Sequence, residues 1–208
     1  MRSKNEIREE VWKKIEKVAR FPPPRGRIPN FIGAEKACEK LRELEEYRKA
    51  NAVFVAPDSP LYKARKIVLE DGKILVAPKP RFTGVVLIDR KIDPTISNMM
   101  KFGREVGAEE LKESVGKVDV IVQGCVAVDL NGNRIGKGTG YGDREYWFLK
   151  EKGLIDEPLY AVVCHDLQVY DDFSHLAEEH DVRCDVILTP EKILWTKEAL
   201  RRGKSPRP

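Results

Sequence analysis

The chain has no apolar run approaching the roughly 20 residues that a membrane-spanning helix needs, which excludes a helical membrane protein. Its start, rich in Lys, Arg and Glu, reads as a charged amphipathic helix and not as a signal peptide, so the expected compartment is cytoplasmic. Cysteine is scarce: Cys38, Cys125, Cys164 and Cys184 lie far apart, without the spacing of a zinc or redox motif, and read as free, mostly buried thiols. No serine or cysteine stands in a nucleophile-elbow context, so His165-Asp166 and His180-Asp181 have nothing to activate and a hydrolase is disfavoured. His165 reads instead as a strand-end residue fixed by hydrogen bonds. No Gly-Lys-Ser/Thr closes a P-loop, no strand leads directly into a dinucleotide fingerprint, and neither an internal repeat nor an RNA-recognition signature occurs.

What is present is enough apolar material, 41% of 208 residues, for one substantial core, beside a 35% charged fraction that nearly balances at +4. The expected organisation is one α/β domain over 1–200 and a basic, disordered tail over 201–208. Ser3 and Glu6 form a capping box, and Ile7, Val11, Ile15 and Val18 recur at helical spacing, predicting a helix over 4–19. Three consecutive prolines, Pro22 to Pro24, end it and predict an extended connector. Further helices are predicted at 34–49, 60–70 and 142–152. Strands are predicted at Ala52 to Ala56, Lys73 to Ala77, Gly84 to Ile88, Val118 to Val122, Leu159 to Cys164 and Asp185 to Leu188. Such alternation means a largely parallel sheet with helices on both faces, whose ligands collect at the carboxyl ends of strands. Asp58, residues 134–143 and the segment around His165 are expected along that edge, with Lys4 and Arg8 reaching it from the first helix. Trp12, Tyr146 and Trp147 read as packing residues.

The most informative stretch runs from Asn133 to Asp143. Glycine occupies positions 136, 138, 140 and 142, so the backbone can turn left-handed and gather N–H groups around an anion. Arg134 and Lys137 add positive charge, and Asp143 suits a magnesium ion bound to phosphate oxygens. A glycine-rich hairpin turn is the bland alternative. Upstream, Val118 to Gly124 reads as a buried strand and Asn131-Gly132-Asn133 as a hairpin turn. Lys4 and Arg8, one helical turn apart, repel by a few tenths of a kcal/mol, roughly, unless an anion lies between them; a solvated basic face is the other reading.

Taken together, Asp129, the turn at 131–133 and the run Arg134-Ile135-Gly136-Lys137-Gly138-Thr139-Gly140-Tyr141-Gly142-Asp143 resemble the 5-formyltetrahydrofolate cyclo-ligase family, whose hallmark is Arg-Leu-Gly-x-Gly-x-Gly-Tyr-Tyr-Asp. The resemblance extends to Lys4 and Arg8, to Gly72 to Pro78 with Arg81-Phe82, and to Asp181-Val182-Arg183-Cys184-Asp185. Ile7 to Trp12 and Arg27 to Phe31 make it closer to the branch of methenyltetrahydrofolate synthetase domain-containing proteins. It implies a three-layer αβα, NagB/RpiA/CoA-transferase-like fold and an ATP- and Mg2+-dependent closure of 5-formyltetrahydrofolate to 5,10-methenyltetrahydrofolate through a phosphorylated formyl oxygen. By this resemblance Lys4, Arg8, Arg134, Ile135, Gly136, Lys137, Gly138, Thr139, Gly140, Tyr141 and Gly142 contact ATP. Arg134 and Lys137 neutralise the transferring phosphate, Asp58 and Tyr141 contact the folate, and Asp143 and Asp181 bind magnesium.

Departures from the family pattern fall on the substrate side: Gly142 stands for a tyrosine, Thr139 for a basic residue, Gln123 for a proline and Val128 for a phenylalanine. The alternative is therefore a diverged nucleotide-binding protein that acts on another pterin or on an RNA or protein partner. Residues 1–27 carry a net charge of +5, and the tail adds four basic residues, but the aromatics are not interleaved with them, so an RNA-binding module ranks last. The expected partner is a reduced folate or related pterin, without membrane or nucleic acid, and the chain acts as a monomer or homodimer.

Overall fold

Runs of β-branched residues build the centre of the molecule and leave its edges to shorter, mixed segments. The computed structural model describes residues 2–206. In chain order the elements are α1 (Lys4–Ile15), α2 (Ala34–Glu39), α3 (Glu45–Lys49), β1 (Ala52–Val55), α4 (Tyr62–Glu70), β2 (Ile74–Pro78), β3 (Val85–Ile88), α5 (Ile96–Phe102), β4 (Arg104–Val106) and α6 (Ala108–Val115). They continue with β5 (Val120–Gln123), β6 (Ala127–Asp129), β7 (Arg134–Ile135), α7 (Tyr141–Glu151), β8 (Leu159–Val163), β9 (Val169–Tyr170), β10 (Val186–Leu188), β11 (Ile193–Trp195) and α8 (Lys197–Arg201).

The main sheet has the order β11-β10-β8-β5-β1-β2-β3-β4. Its centre, from β10 to β2, is parallel, while β11 at one edge and β3 and β4 at the other run antiparallel. Side chains alternate between two apolar clusters along each central strand: Val53 and Val55 of β1 join the first, Ala52 and Phe54 the second. The first cluster is covered by α2, α4 and α5, the second by α6 and α7, which makes three layers. A second, small sheet of order β7-β6-β9 packs against α1 through Ile7, Val11 and Trp12. Among the described residues no helix is long and apolar enough to cross a membrane.

Several local expectations change. The helix predicted over 34–49 breaks at Leu44, whose ψ of 127° turns the chain so that Leu41, Leu44 and Tyr47 are all buried. The proline connector does not run extended: it loops back, with Arg20 N–H donating to the Asn30 carbonyl and Ile32 N–H to that of Val18. The tail is tied down where disorder was expected. Arg202 reaches Asp185 and Glu157, and Lys204 donates to the carbonyls of Glu157 and Pro158, so the buried Asp185 carboxylate gains a donor. Arg207 and Pro208 lie outside the described residues. All four cysteines are buried and free.

Candidate functional site

The site grows out of a hairpin. Chain leaving β5 forms β6, turns at Asn131-Gly132-Asn133 with Gly132 at φ +95°, and returns as β7, pairing Ala127 with Ile135 and Val128 with Arg134. Asp129, fully buried, organises the turn: its carboxylate accepts N–H bonds from Asn131 (3.0 Å), Asn133 (2.9 Å) and Phe173 (2.9 Å) and from the Asn133 amide (2.8 Å). The glycine loop therefore departs from a fixed point. Gly138 (φ +108°) and Gly140 (φ +70°) take the left-handed region that favours glycine, and α7 begins immediately after. Gly142 is needed for a different reason, close approach: a Cβ there would lie 2.6 Å from Arg134 Nη2.

The loop forms one wall of a cleft of about 530 Å³ at the carboxyl ends of β2, β1 and β5. The residues that the family resemblance assigned to ATP, folate and magnesium all line this cleft: Lys4 and Arg8 from α1, Asp58 after β1, the run from Arg134 to Gly142, Asp143, and Asp181. Their engagements differ. Arg8 Nε donates to the Gly136 carbonyl at 2.7 Å and so holds the loop as well as charging it. Arg134 donates at 3.3 Å to the Gly124 carbonyl and at 3.3 Å to Asp143 Oδ1, while its Nε is buried without a partner. Lys137 is exposed, and among the described residues no hydrogen bond or ion pair holds it.

Lys4 bridges Asp181 (2.9 Å) and Glu178 (3.1 Å). Burial lowers its proton affinity, but these two carboxylates outweigh that and hold its pKa above the ordinary lysine value. Glu178, His180 and Asp181 place ligand atoms within 4.8 Å of one another, and Asp143 stands outside that cluster, accepting from Val182 N–H at 3.3 Å. The oxygen donors of Asp143 and Asp181 suit a hard divalent cation, and the loop's unshielded amides suit phosphate.

Sequence reasoning missed the inner end. Glu145 of α7 is 5% exposed, and Gln123, which ends β5, donates to its Oε2 at 2.8 Å. Burial pushes the Glu145 carboxyl up to about 7, with the Gln123 bond opposing it and the nearby Asp58 charge reinforcing it. Burial likewise raises Asp58, against the pull of Lys137 and Arg134. Phe82, Ile96, Met99 and Met100 add an apolar wall. The signal for Glu145 lay in its place one turn after Gly142 on the buried face of α7; that for α5 lay in Thr95, whose side chain caps Asn98.

The segment at His165 does not reach the cleft. His165 Nδ1 accepts from Leu167 N–H and Gln168 from His165 N–H, a reciprocal cap that turns the chain toward Phe31, whose ring sits 5.6 Å away. Asp166 accepts from Thr189. Trp12 is buried, as expected, with its indole N–H on the Arg27 carbonyl. Tyr146 stacks edge-on with Tyr160 as a packing residue, whereas Trp147 is 36% exposed and instead ties the His180 carbonyl to α7.

Comparison with known proteins agrees with this architecture. The human protein named methenyltetrahydrofolate synthase domain-containing protein is 38% identical over 209 residues, covering 93% of this chain and 54% of its own length; the bovine protein of that name is 39% identical over the same shares. The chain thus spans about half the length of these relatives. The solved structure of the 5,10-methenyltetrahydrofolate synthetase of Aquifex aeolicus superposes with a TM-score of 0.60 over 99% of this chain and 96% of that one, at 24% identity, a shared fold. The 5-formyltetrahydrofolate cyclo-ligase family matches residues 1–190, and the chain belongs to that family.

Proposed function

We propose that this chain converts 5-formyltetrahydrofolate to 5,10-methenyltetrahydrofolate at the expense of ATP, with magnesium as cofactor. The observation that carries the reading is the convergence of the glycine loop with the cationic side chains of Lys4, Arg8, Arg134 and Lys137 and the carboxylates of Asp143 and Asp181 in one cleft. The formyl carbon is a poor electrophile because N5 donates into the carbonyl. Transfer of the γ-phosphoryl group to the formyl oxygen makes a leaving group, N10 attacks the carbon, and phosphate departs. That chemistry needs positioning and charge neutralisation more than a protein nucleophile.

Lys4, Arg8 and the amides of 135–142 hold the polyphosphate. Arg134 and Lys137 neutralise charge at the transferring group: Arg134 is already aimed by Gly124 and Asp143, and Lys137 is free to swing. Asp143 and Asp181 would hold a magnesium ion, which would supply charge neutralisation for the bound phosphate. Asp58 and Tyr141 contact the folate. The test follows the methenyl product by its near-ultraviolet absorbance with Mg-ATP and 5-formyltetrahydrofolate, using Asp143→Ala as control. Product that vanishes in the control supports the reading. One observation favours a second reading, nucleotide binding without turnover: the Arg134 guanidinium fills the space over Gly142. ATP binding without product would establish it.

A further inference from the structure

The inner end of the cleft presents hydrogen-bond acceptors that no protein donor satisfies. Gln123 and Glu145 are 3% and 5% exposed, and both line the cleft. Their mutual bond uses Gln123 Nε2 and Glu145 Oε2, and among the described residues no donor reaches Gln123 Oε1 or Glu145 Oε1 of these two cleft-lining side chains. Asp58 lines the same space, its carboxylate bonded only by its own backbone N–H; Arg65 behind it is spent on the carbonyls of Asp58, Ala56 and Pro94. Arg134 Nη1 and Nη2 are committed to Gly124 and Asp143. An acceptor that a ligand covers without supplying a donor is costly, so a ligand that fits here must bring N–H donors. A phosphate, which carries only acceptors at neutral pH, finds no donor at these oxygens. The apolar wall of Phe82, Met99 and Met100 calls for a flat ring.

We propose that Gln123 and Glu145, together with Asp58, form a specificity-determining subsite for the donor edge of a planar nitrogen heterocycle, the 2-amino-4-oxopyrimidine half of a pterin. The choice of pterin rests on the folate reading above; the donor edge rests on the geometry. The anionic end of any nucleotide then lies toward Lys4, Arg8 and the glycine loop, and the ring end of the second substrate points inward. Gln123, which breaks the family pattern, acquires a role: it holds the Glu145 carboxylate in place.

The test titrates the whole chain, with Mg-ATP present, against pterin and against lumazine, the same ring with a 2-oxo group in place of the 2-amino group. The wild type is expected to favour pterin by about tenfold or more, since the oxo group sets an acceptor against an acceptor. Glu145→Gln can still accept from Gln123 but turns a donor into the cleft, and the preference is expected to collapse to within about threefold. Gln123→Ala, which frees the carboxylate, is expected to reduce it part-way and gives an independent reading if the first variant does not fold. ATP titration of each variant reports an intact fold. Equal binding of both rings by the wild type, or a preference unchanged in both variants, overturns the proposal. Turnover of 5-formyltetrahydrofolate with the preference intact in the variants removes this subsite and keeps the ligase. A preference lost in the variants, with no turnover by the wild type, does the reverse.

Discussion

Asp129→Ala should unfold the turn that launches the glycine loop. The carboxylate satisfies backbone N–H groups of Asn131, Asn133 and Phe173 and the amide of Asn133. The Asn131 group is only partly buried and finds water after the substitution, and the Asn133 amide keeps Ser174 Oγ at 2.9 Å. Two buried backbone donors remain orphaned, at roughly 1–3 kcal/mol each, so the expected loss is about 4 kcal/mol. That is a large part of a typical stability of roughly 5–15 kcal/mol. Asp129→Asn keeps one acceptor oxygen. Its new amide can meet Asn133 Oδ1, buried and now unpartnered, if the Asn133 amide flips, and the loss is expected to halve to about 2 kcal/mol. Urea unfolding measures both, with a midpoint shift at constant slope. ATP affinity of the Asn variant, read by calorimetry, should fall because Arg134 moves with the turn. A loss under about 1 kcal/mol for Ala would refute the accounting. Unchanged ATP affinity in a destabilised Asn variant would refute the coupling of turn to loop.

Gly142→Ala should leave stability nearly unchanged, because a helix-propensity gain of about 1 kcal/mol offsets the displaced Arg134 guanidinium, yet lower ATP affinity about tenfold; undiminished affinity in calorimetry would show that Arg134 is not held by that contact. The Arg42 hydrogen bonds, helped by Tyr47, hold Asp71 below the ordinary carboxylate range. Its stabilisation is therefore present above the unfolded value near 3.8 and lost as pH falls through the lower folded value. Asp71→Asn should flatten that acid limb in pH-dependent melts and cost about 1 kcal/mol at neutral pH, small because both partners are partly solvated. Burial raises the thiols of Cys38, to about 12, and of Cys164 and Cys184, so alkylating reagents should modify them only after denaturant is added; rapid labelling of the native protein would contradict their burial.

Local chemistry made the frame of the site legible. The Ser3–Glu6 box, the hairpin turn at 131–133 and the glycine spacing each depend on residues within a few positions of one another, and each stands in the fold where its pattern put it. So does the parallel centre of the sheet, because apolar β-branched runs buried on both faces have few other destinations. Edges were harder to read. Among the described residues, β4 and α6 fall in a charged stretch whose short apolar runs resemble loop, and only antiparallel pairing with β3 makes a strand of Arg104–Val106.

The sequence by itself determined the fold class, the glycine loop, and the residue types gathered around it, since these follow from periodicity and backbone freedom. Tertiary structure alone decided that Gln123 meets Glu145, that Arg8 braces Gly136, that Arg134 needs Gly142 bare, and that His165 turns away from the cleft. Those are hydrogen bonds and close approaches between residues up to 128 positions apart. Their energies depend on burial and partner geometry, which no local pattern encodes.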